Sequence, residues 1–230
     1  MDRVSDIRNQ LVNQYNTGDF VIDKTGAKMV ELIGATFIAD EDWIIRKPNM
    51  EYVKHELDWY ESQSLNVYDI PGVVPEIWKQ IADMYGNINS NYGWCIYSDE
   101  NSAQFQKCLN ELLANKFSRR STMIYNRPSM HEDYKENGKN DFICTYANQF
   151  FIRDNKLVSH YIMRSNDSVF GYCNDYQWAK YVQQHMLSEL LLDYPGLELG
   201  DIIWTASSLH VYERHFKFIE EYKGTQNGSI

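Results

Sequence analysis

Two alternating runs joined by a short charged turn dominate the stretch from Asp141 to Asp175, DFICTYANQFFIRDNKLVSHYIMRSNDSVFGYCND. Gln149, Phe150, Phe151 and Ile152 alternate as a strand does. In RDNKL, Asp154 and Asn155 tolerate the left-handed conformations that a tight hairpin requires. LVSHYIM supplies the second strand, so the chain contains an antiparallel pair. Cys144 opens the stretch, the polar cluster RSND follows the second strand, and FGYCND leads into a helical segment. A thiol, an arginine, a serine and two carboxylates thus fall near strand ends, where sites are often built. This pattern alone identifies no activity.

The 230 residues suffice for one substantial core and are read as a single domain, 1–230. Hydrophobic residues at 43% and aromatics at 14% exclude a disordered chain. The apolar runs, such as the one around Leu190, fall short of the roughly 18–20 residues that span a membrane. MDRVSDIRNQL lacks the apolar core of a signal peptide, so a cytoplasmic protein is expected. The four cysteines (Cys95, Cys108, Cys144, Cys173) form no CxxC pair and show no zinc-ligand spacing, so no metal is expected. Buried free thiols are their plain reading. A net charge of −10 argues against general nucleic-acid binding but leaves room for a local basic pocket around one phosphate. A nucleotide ligand would then be a monomer.

Residues 2–16 carry helical spacing in Val4, Ile7, Leu11, Val12 and Tyr15. DKTG reads as a turn before strand-like alternation, with Lys24 either a solvated loop lysine or an anion ligand. From Asn49 to Gln63 the pattern is helical, with Val53, Leu57 and Tyr60 on one face and Glu56 by default a solvated carboxylate. A short helix is expected from Pro75. NINSNYGWCIYS reads as a loop or irregular strand presenting Tyr92 and Trp94. Residues 101–115 form an amphipathic helix. SRRSTMIYNRP places Arg119 and Arg120 near a strand stopped by Pro128, either as an exposed basic patch or as a pair suited to bidentate phosphate recognition. HEDYKENGKND is expected to be a loop. A helix is expected over Tyr176–Leu192, then a strand in which His210 and Tyr212 point to one face. The closing KGTQNGSI reads as frayed.

The ordered segments DKTG, HELDWY, NYGW, SRRSTMIYNRP, the Cys144 strand, RSNDSVFG and SLHVY resemble the thymidylate synthase superfamily over nearly the whole chain. Within it, DKTGAK, INSNYGW, SRRSTMIYNRPSM, MRSND, VFGYCNDY and SSLHVYERHF look most like the phage branch that hydroxymethylates deoxycytidylate. The resemblance implies an α/β fold, a twisted mixed sheet with surrounding helices, and a sheet-to-sheet homodimer. It implies 5,10-methylenetetrahydrofolate as co-substrate, dCMP as substrate, and association with other phage enzymes of nucleotide synthesis.

Residue by residue, the resemblance makes Cys144 the nucleophile and Glu56 the organiser of water and proton transfer, with Tyr92 near the nucleophile. It assigns phosphate contacts to Lys24, Arg164, Ser165 and, from the partner subunit, Arg119 and Arg120. His210 and Tyr212 would hold the sugar hydroxyl. Asn166 and Gln149 join the substrate-binding set, and Trp78, Asp167 and Gly171 the folate side. Asp175 stands where thymidylate synthases carry asparagine. Cytosine offers an N4 amino donor and an N3 acceptor, so a carboxylate accepts from N4 and one proton is shared with N3. A helix-capping aspartate is the alternative for Asp175. A CMP or dUMP hydroxymethylase, a thymidylate synthase, and a nucleotide-binding protein without catalysis remain the alternatives for the whole.

Overall fold

The computed structural model describes residues 1–227, with side chains to residue 223. In chain order, strand β1 (Asp2–Arg3) runs into helix α1 (Val4–Thr17), whose start is fixed by the Asp6 carboxylate accepting the Arg3 N–H at 2.9 Å. Strands β2 (Val21–Ile22) and β3 (Lys28–Ile38) follow. Helix α2 (Met50–Ser62) is capped by Asn49, whose side chain accepts from the Glu51 and Tyr52 N–H groups. Then come α3 (Glu76–Ile81), α4 (Tyr92–Tyr97), α5 (Gln104–Ala114), β4 (Thr122–Ile124) and α6 (Met130–Asp133). Strands β5 (Thr145–Arg153), β6 (Lys156–Met163) and β7 (Asn166–Asp167) lead to α7 (Gly171–Leu190), β8 (Glu198–Tyr212) and α8 (Phe216–Asn227). The element mixture is α/β.

The hairpin between β5 and β6 turns on Asp154 (φ 49°) and Asn155 (φ 58°), the pair of left-handed residues that the sequence leads one to expect. Elsewhere the expected elements shift. NINSNYGWCIYS contains helix α4, because Asn91 caps it: its Oδ1 accepts the Trp94 N–H at 2.8 Å. HEDYKENGKND includes part of α6 and a single tight helical turn at Glu136–Gly138. Helix α7 begins at Gly171, five residues before Tyr176, so Asp175 lies inside it and is no N-cap. Helix α8 carries the backbone through KGTQN where fraying is expected; the rest of that segment, residues 228–230, lies outside the described residues.

The chain divides into two compact units. The first comprises Met1–Pro48, His160–Val182 and the chain from Asp201 onward. Here β3 pairs antiparallel with β8 and β2 and parallel with β1, and β7 pairs parallel with β8. Val4, Ile7 and Leu11 bury one face of α1. Along β3 and β8 the inward side changes over. Val30, Leu209 and Val211 are buried at one end, whereas Phe37, Trp204 and Ala206, of opposite parity, are buried at the other. The change falls at Gly34, whose φ of +69° few other residues adopt and whose absent Cβ would meet nothing within 4 Å. Backbone conformation, not space, therefore demands glycine there.

The second unit comprises Asn49–Ser159 and Gln183–Gly200. β4 pairs antiparallel with β5, Thr122 opposite Gln149 and Ile124 opposite Ala147. Helix α5 buries Phe105, Cys108, Leu109 and Leu112, the spacing its sequence announces. Helix α4 lies against α2 so closely that a Cβ at Gly93 would stand 1.7 Å from the Tyr60 carbonyl oxygen. Backbone must move to admit even one methyl group. Gly93→Ala is expected to lower stability by about 3 kcal/mol, read as a drop in the urea midpoint at unchanged slope.

Candidate active site

In the second unit, α2 presents Tyr52 and Glu56 one helical turn apart. The buried face comprises Val53, Glu56, Trp59 and Tyr60, with Leu57 only half-buried. Glu56 is therefore not the solvated carboxylate that its place in the pattern suggests. Two large aromatics pull this face inward, and Glu56 finds a partner there: Tyr52 Oη donates to Glu56 Oε1 at 2.5 Å. Trp78 Nε1 in turn donates to Tyr52 Oη at 2.8 Å. Trp78 also meets Trp59 edge-on at 5.3 Å. Tyr92 stacks on Tyr60 at 5.2 Å and meets Tyr125 edge-on at 5.3 Å.

Burial pushes the Glu56 carboxyl up to about 7, against the opposing pull of Tyr52 and Trp78. The unfolded chain ionises this group near 4.5, so between the two values the folded state holds the extra proton. Stability therefore falls as pH rises through that window, by on the order of 3 kcal/mol, and is flat above it. Glu56→Gln removes the titration. Its stability relative to the parent is expected to rise from pH 4.5 to pH 8, as urea melts at both pH values would show.

Cys144 sits immediately before β5 and is half-buried, whereas Cys95, Cys108 and Cys173 are buried. Burial raises the Cys95 thiol to about 12 and the Cys108 thiol to about 11. Cys144 is thus the thiol open to a reactant among the four. The loop ahead of α4 is pinned to the segment entering β5 by Asp141, which accepts from the Asn89 N–H (2.6 Å), the Ser90 N–H (2.8 Å) and Ser90 Oγ (2.6 Å). Asn91, fully buried, donates to the Trp59 and Ser64 carbonyls. Sequence reasoning missed Tyr52, Asn91 and Asp141 as supports. Only the Tyr52-to-Glu56 spacing offered a signal.

Arg119 and Arg120 are exposed. Glu111 Oε1 accepts from Arg120 Nε at 3.1 Å, and Gln149 Nε2 donates to the Arg119 carbonyl at 2.6 Å. Gln149 here holds the backbone of the arginine loop. Five residues of extended strand, roughly 16 Å, separate it from Cys144.

In the first unit, β7, β8 and the first turns of α7 gather the other polar candidates. Asn166 is buried between two partners: Trp204 Nε1 donates to its Oδ1 at 3.2 Å, and its Nδ2 donates to Asp175 Oδ2 at 2.7 Å. Gly171 lets these groups close up, since a Cβ there would stand 3.3 Å from Asn166 Nδ2 and 3.4 Å from Asp167 Cβ. Asp167 Oδ1 accepts the Val169 N–H at 2.9 Å. Burial raises its carboxyl to about 6, opposed by the Val169 and Phe170 N–H groups and by Arg214. His215 Nδ1 lies 3.7 Å from Asp167 Oδ2 but is pushed down to about 4 by burial and nearby cations, so the two form no ion pair at neutral pH.

His210 and Tyr212 share one face of β8, with ring centroids 4.6 Å apart. Burial lowers the His210 imidazole, and Arg214 and Arg164 act in the same direction. Arg164 and Ser165, half-buried, link β6 to β7. Lys24 is exposed on the turn built by Asp23, whose carboxylate accepts from the Thr25 and Ala27 N–H groups. Among the described residues, no group of three His, Cys, Asp or Glu side chains is placed to hold a metal ion, and no helix is long and apolar enough to cross a membrane.

The family profile described as "Thymidylate synthase" matches residues 9–225. The chain is 50% identical over 221 residues to a protein of Enterobacteria phage T6 named "Deoxycytidylate 5-hydroxymethyltransferase", covering 95% of this chain and 90% of the relative. A phage T4 protein of the same name is likewise 50% identical over 221 residues, with the same coverage. A "Thymidylate synthase" of Francisella philomiragia is 26% identical over 186 residues, 76% of this chain and 66% of the relative. Among solved structures, thermostable thymidylate synthase A from Bacillus subtilis superposes with a TM-score of 0.66 at 21% identity, over 95% of this chain and 83% of that one. Profile, relatives and fold agree: the chain belongs to the thymidylate synthase family.

Proposed function

We propose that the chain is a deoxycytidylate 5-hydroxymethyltransferase, converting dCMP, 5,10-methylenetetrahydrofolate and water to 5-hydroxymethyl-dCMP and tetrahydrofolate. The observation that carries this reading is the Asp175 carboxylate held by Asn166. The 50% identity to phage proteins of that name supports it. The folate supplies a one-carbon unit at the oxidation level of formaldehyde. Asp167, Gly171 and Trp78 are the residues to hold it: a carboxylate for a pterin's N–H donors, a helix start kept clear by glycine, and an indole for an aromatic ring. The chemistry of the donor set is what fits: Asp167 keeps a second carboxylate oxygen, Oδ2, beyond the Oδ1 that accepts the Val169 N–H.

Cys144 Sγ adds to C6 of the cytosine, which makes C5 enamine-like and able to take the one-carbon unit. Asp175 accepts from the N4 amino group and shares a proton with N3, neutralising the charge that spreads into the ring. Loss of the C5 proton, with cleavage of the bond between the transferred carbon and the folate nitrogen, releases tetrahydrofolate and leaves an exocyclic methylene. Glu56, poised near neutrality and coupled to Tyr52 and Trp78, orders the water that adds to it. Expulsion of Cys144 Sγ releases product, a step in which the resemblance gives Tyr92 a part. Arg164, Ser165 and Lys24 hold the phosphate, and His210 and Tyr212 the sugar hydroxyl.

Arg119 and Arg120 belong to the phosphate site of a second copy in a homodimer. Their exposure supports this, as does the length of β5 between Cys144 and Gln149, which holds the Arg119 carbonyl, and so do the exposed apolar side chains Ile33, Ile124 and Tyr146 on strands. The whole chain acts as one catalytic domain, in the cytoplasm of a phage-infected host, with other phage nucleotide-synthesis enzymes as partners.

Parallel assays with dCMP, CMP and dUMP, each with methylenetetrahydrofolate and products weighed by mass spectrometry, test the reading. A gain of CH2O on dCMP alone is expected. A gain of CH2 on dUMP with dihydrofolate would make it a thymidylate synthase, and binding of dCMP without release of its C5 proton a non-catalytic nucleotide binder.

A further inference from the structure

A carboxylate lies behind His210 that the chemistry above does not use. In the β3–β8 pairing Glu31 stands directly opposite His210, and Ser208, two residues before His210, shares their face. Ser208 Oγ donates to Glu31 Oε1, and His210 Nδ1 lies 3.2 Å from the same Oγ. Ser208 Oγ has one hydroxyl proton, and its bond to Glu31 Oε1 commits that proton to the carboxylate. Toward His210 that oxygen can then only accept, and Nδ1 must carry a proton. Burial lowers the imidazole, against a hydrogen bond to the Ser208 backbone and the charge of Glu31, so the neutral ring has one proton to place. Nδ1 holds it, and Nε2 becomes an acceptor.

We infer that Glu31 is a positioning residue which, through Ser208 Oγ, locks His210 in the Nδ1–H tautomer and so presents Nε2 as an acceptor for a ligand hydroxyl. A hydroxyl that donates to Nε2 is favoured, and an analogue lacking that hydroxyl leaves a buried acceptor unpaired. The device thus selects nucleotides with a free sugar 3′-hydroxyl over 3′-deoxy or 3′-esterified ones. That specificity rests on the proposed sugar contact of His210; the tautomer does not.

Two readouts on Glu31→Ala separate the claims, with Glu31→Gln as the conservative variant because its amide oxygen still accepts from Ser208. Nitrogen-15 correlation spectra of the folded enzyme report which His210 nitrogen is protonated. The parent and Glu31→Gln are expected to show Nδ1–H, and Glu31→Ala to show Nε2–H, because the released Ser208 proton turns toward Nδ1. Discrimination between dCMP and 2′,3′-dideoxy-CMP in kcat/KM is expected to fall about tenfold in Glu31→Ala and to recover in Glu31→Gln. A loss of packing alone would lower both substrates equally. His210 remaining Nδ1–H in Glu31→Ala overturns the inference. A tautomer that flips with discrimination unchanged upholds the role of Glu31 and removes His210 from the sugar site. Ser208→Ala breaks the relay at its middle atom, so loss of discrimination there supports the inference and full retention overturns it, should Glu31→Ala not fold.

Discussion

Cys144→Ala is expected to fold as the parent does and to lose at least about 10⁴-fold in turnover of dCMP, because no other route makes C5 of the pyrimidine a nucleophile. The two halves of this expectation have separate grounds. Cys144 is half-buried and lies at the entry to β5, so trimming its sulfur leaves no sizeable cavity and stability should move by about 0.5 kcal/mol or less. The catalytic loss follows from its place as the accessible thiol among four. Cys95 and Cys108 are buried and their thiols are raised to about 12 and about 11, so neither can substitute. Thermal melting and steady-state turnover measured on one preparation check both halves. Near-parental turnover in a normally folded variant would remove Cys144 from the mechanism. A thiol-selective alkylating agent should likewise label Cys144 first, with loss of activity tracking that label.

The second large effect is a change of base. Asp175→Asn is expected to lower kcat/KM for dCMP by about 10³- to 10⁴-fold while raising that for dUMP, as read in parallel assays. The direction follows from Asn166. Its Oδ1 is taken by Trp204 Nε1, so its Nδ2 must face residue 175 as a donor. An asparagine at 175 would turn its own oxygen to that donor and present its NH2 as the other arm. At ring position 4, cytosine carries an amino donor and uracil a carbonyl acceptor. A carboxylate suits the first and an amide NH2 the second. Loss of dCMP activity with no gain on dUMP would mean that base choice lies elsewhere. The substitution keeps the side chain's size and its bond to Asn166, so the fold should be unaffected.

How much of this could be read from sequence varies residue by residue. The hairpin was legible because its two tip residues each tolerate φ > 0, and the structure has φ of 49° and 58° there. Helix α5 was legible because four apolar residues recur at helical spacing. Helix α4 was not: among the asparagines that suggest a loop, Asn91 is its cap, and what lets the helix lie against α2 is Gly93, whose significance depends on the Tyr60 carbonyl. The start of α7 was obscured by its glycine, which tolerates both helix and loop.

Cys144, His210 and Tyr212 stood out by residue type and by the order of motifs. The burial of Glu56 did not, since it arises from Trp59 and Tyr60 turning the helix and from a hydroxyl one turn back. Pairings across β3 and β8, such as Glu31 with His210, depend on a register fixed by partners far apart in sequence.

The changeover at Gly34 divides the mutational landscape of β3 and β8 into two provinces. Beyond it, Glu31, Ser208, His210 and Tyr212 occupy the side opposite Val30, Leu209 and Val211, so the residues proposed to serve the sugar site and residues that carry the packing alternate along the same few ångströms of strand. Variation on one side need not be compensated on the other. A library randomised at Glu31, Ser208 and Tyr212 should therefore yield mostly folded proteins that differ in nucleotide preference, whereas one randomised at Val30, Leu209 and Val211 should be dominated by unfolded clones. The family's capacity to take up new substrates would then be local to one side of two strands, with the opposite side as its fixed inheritance.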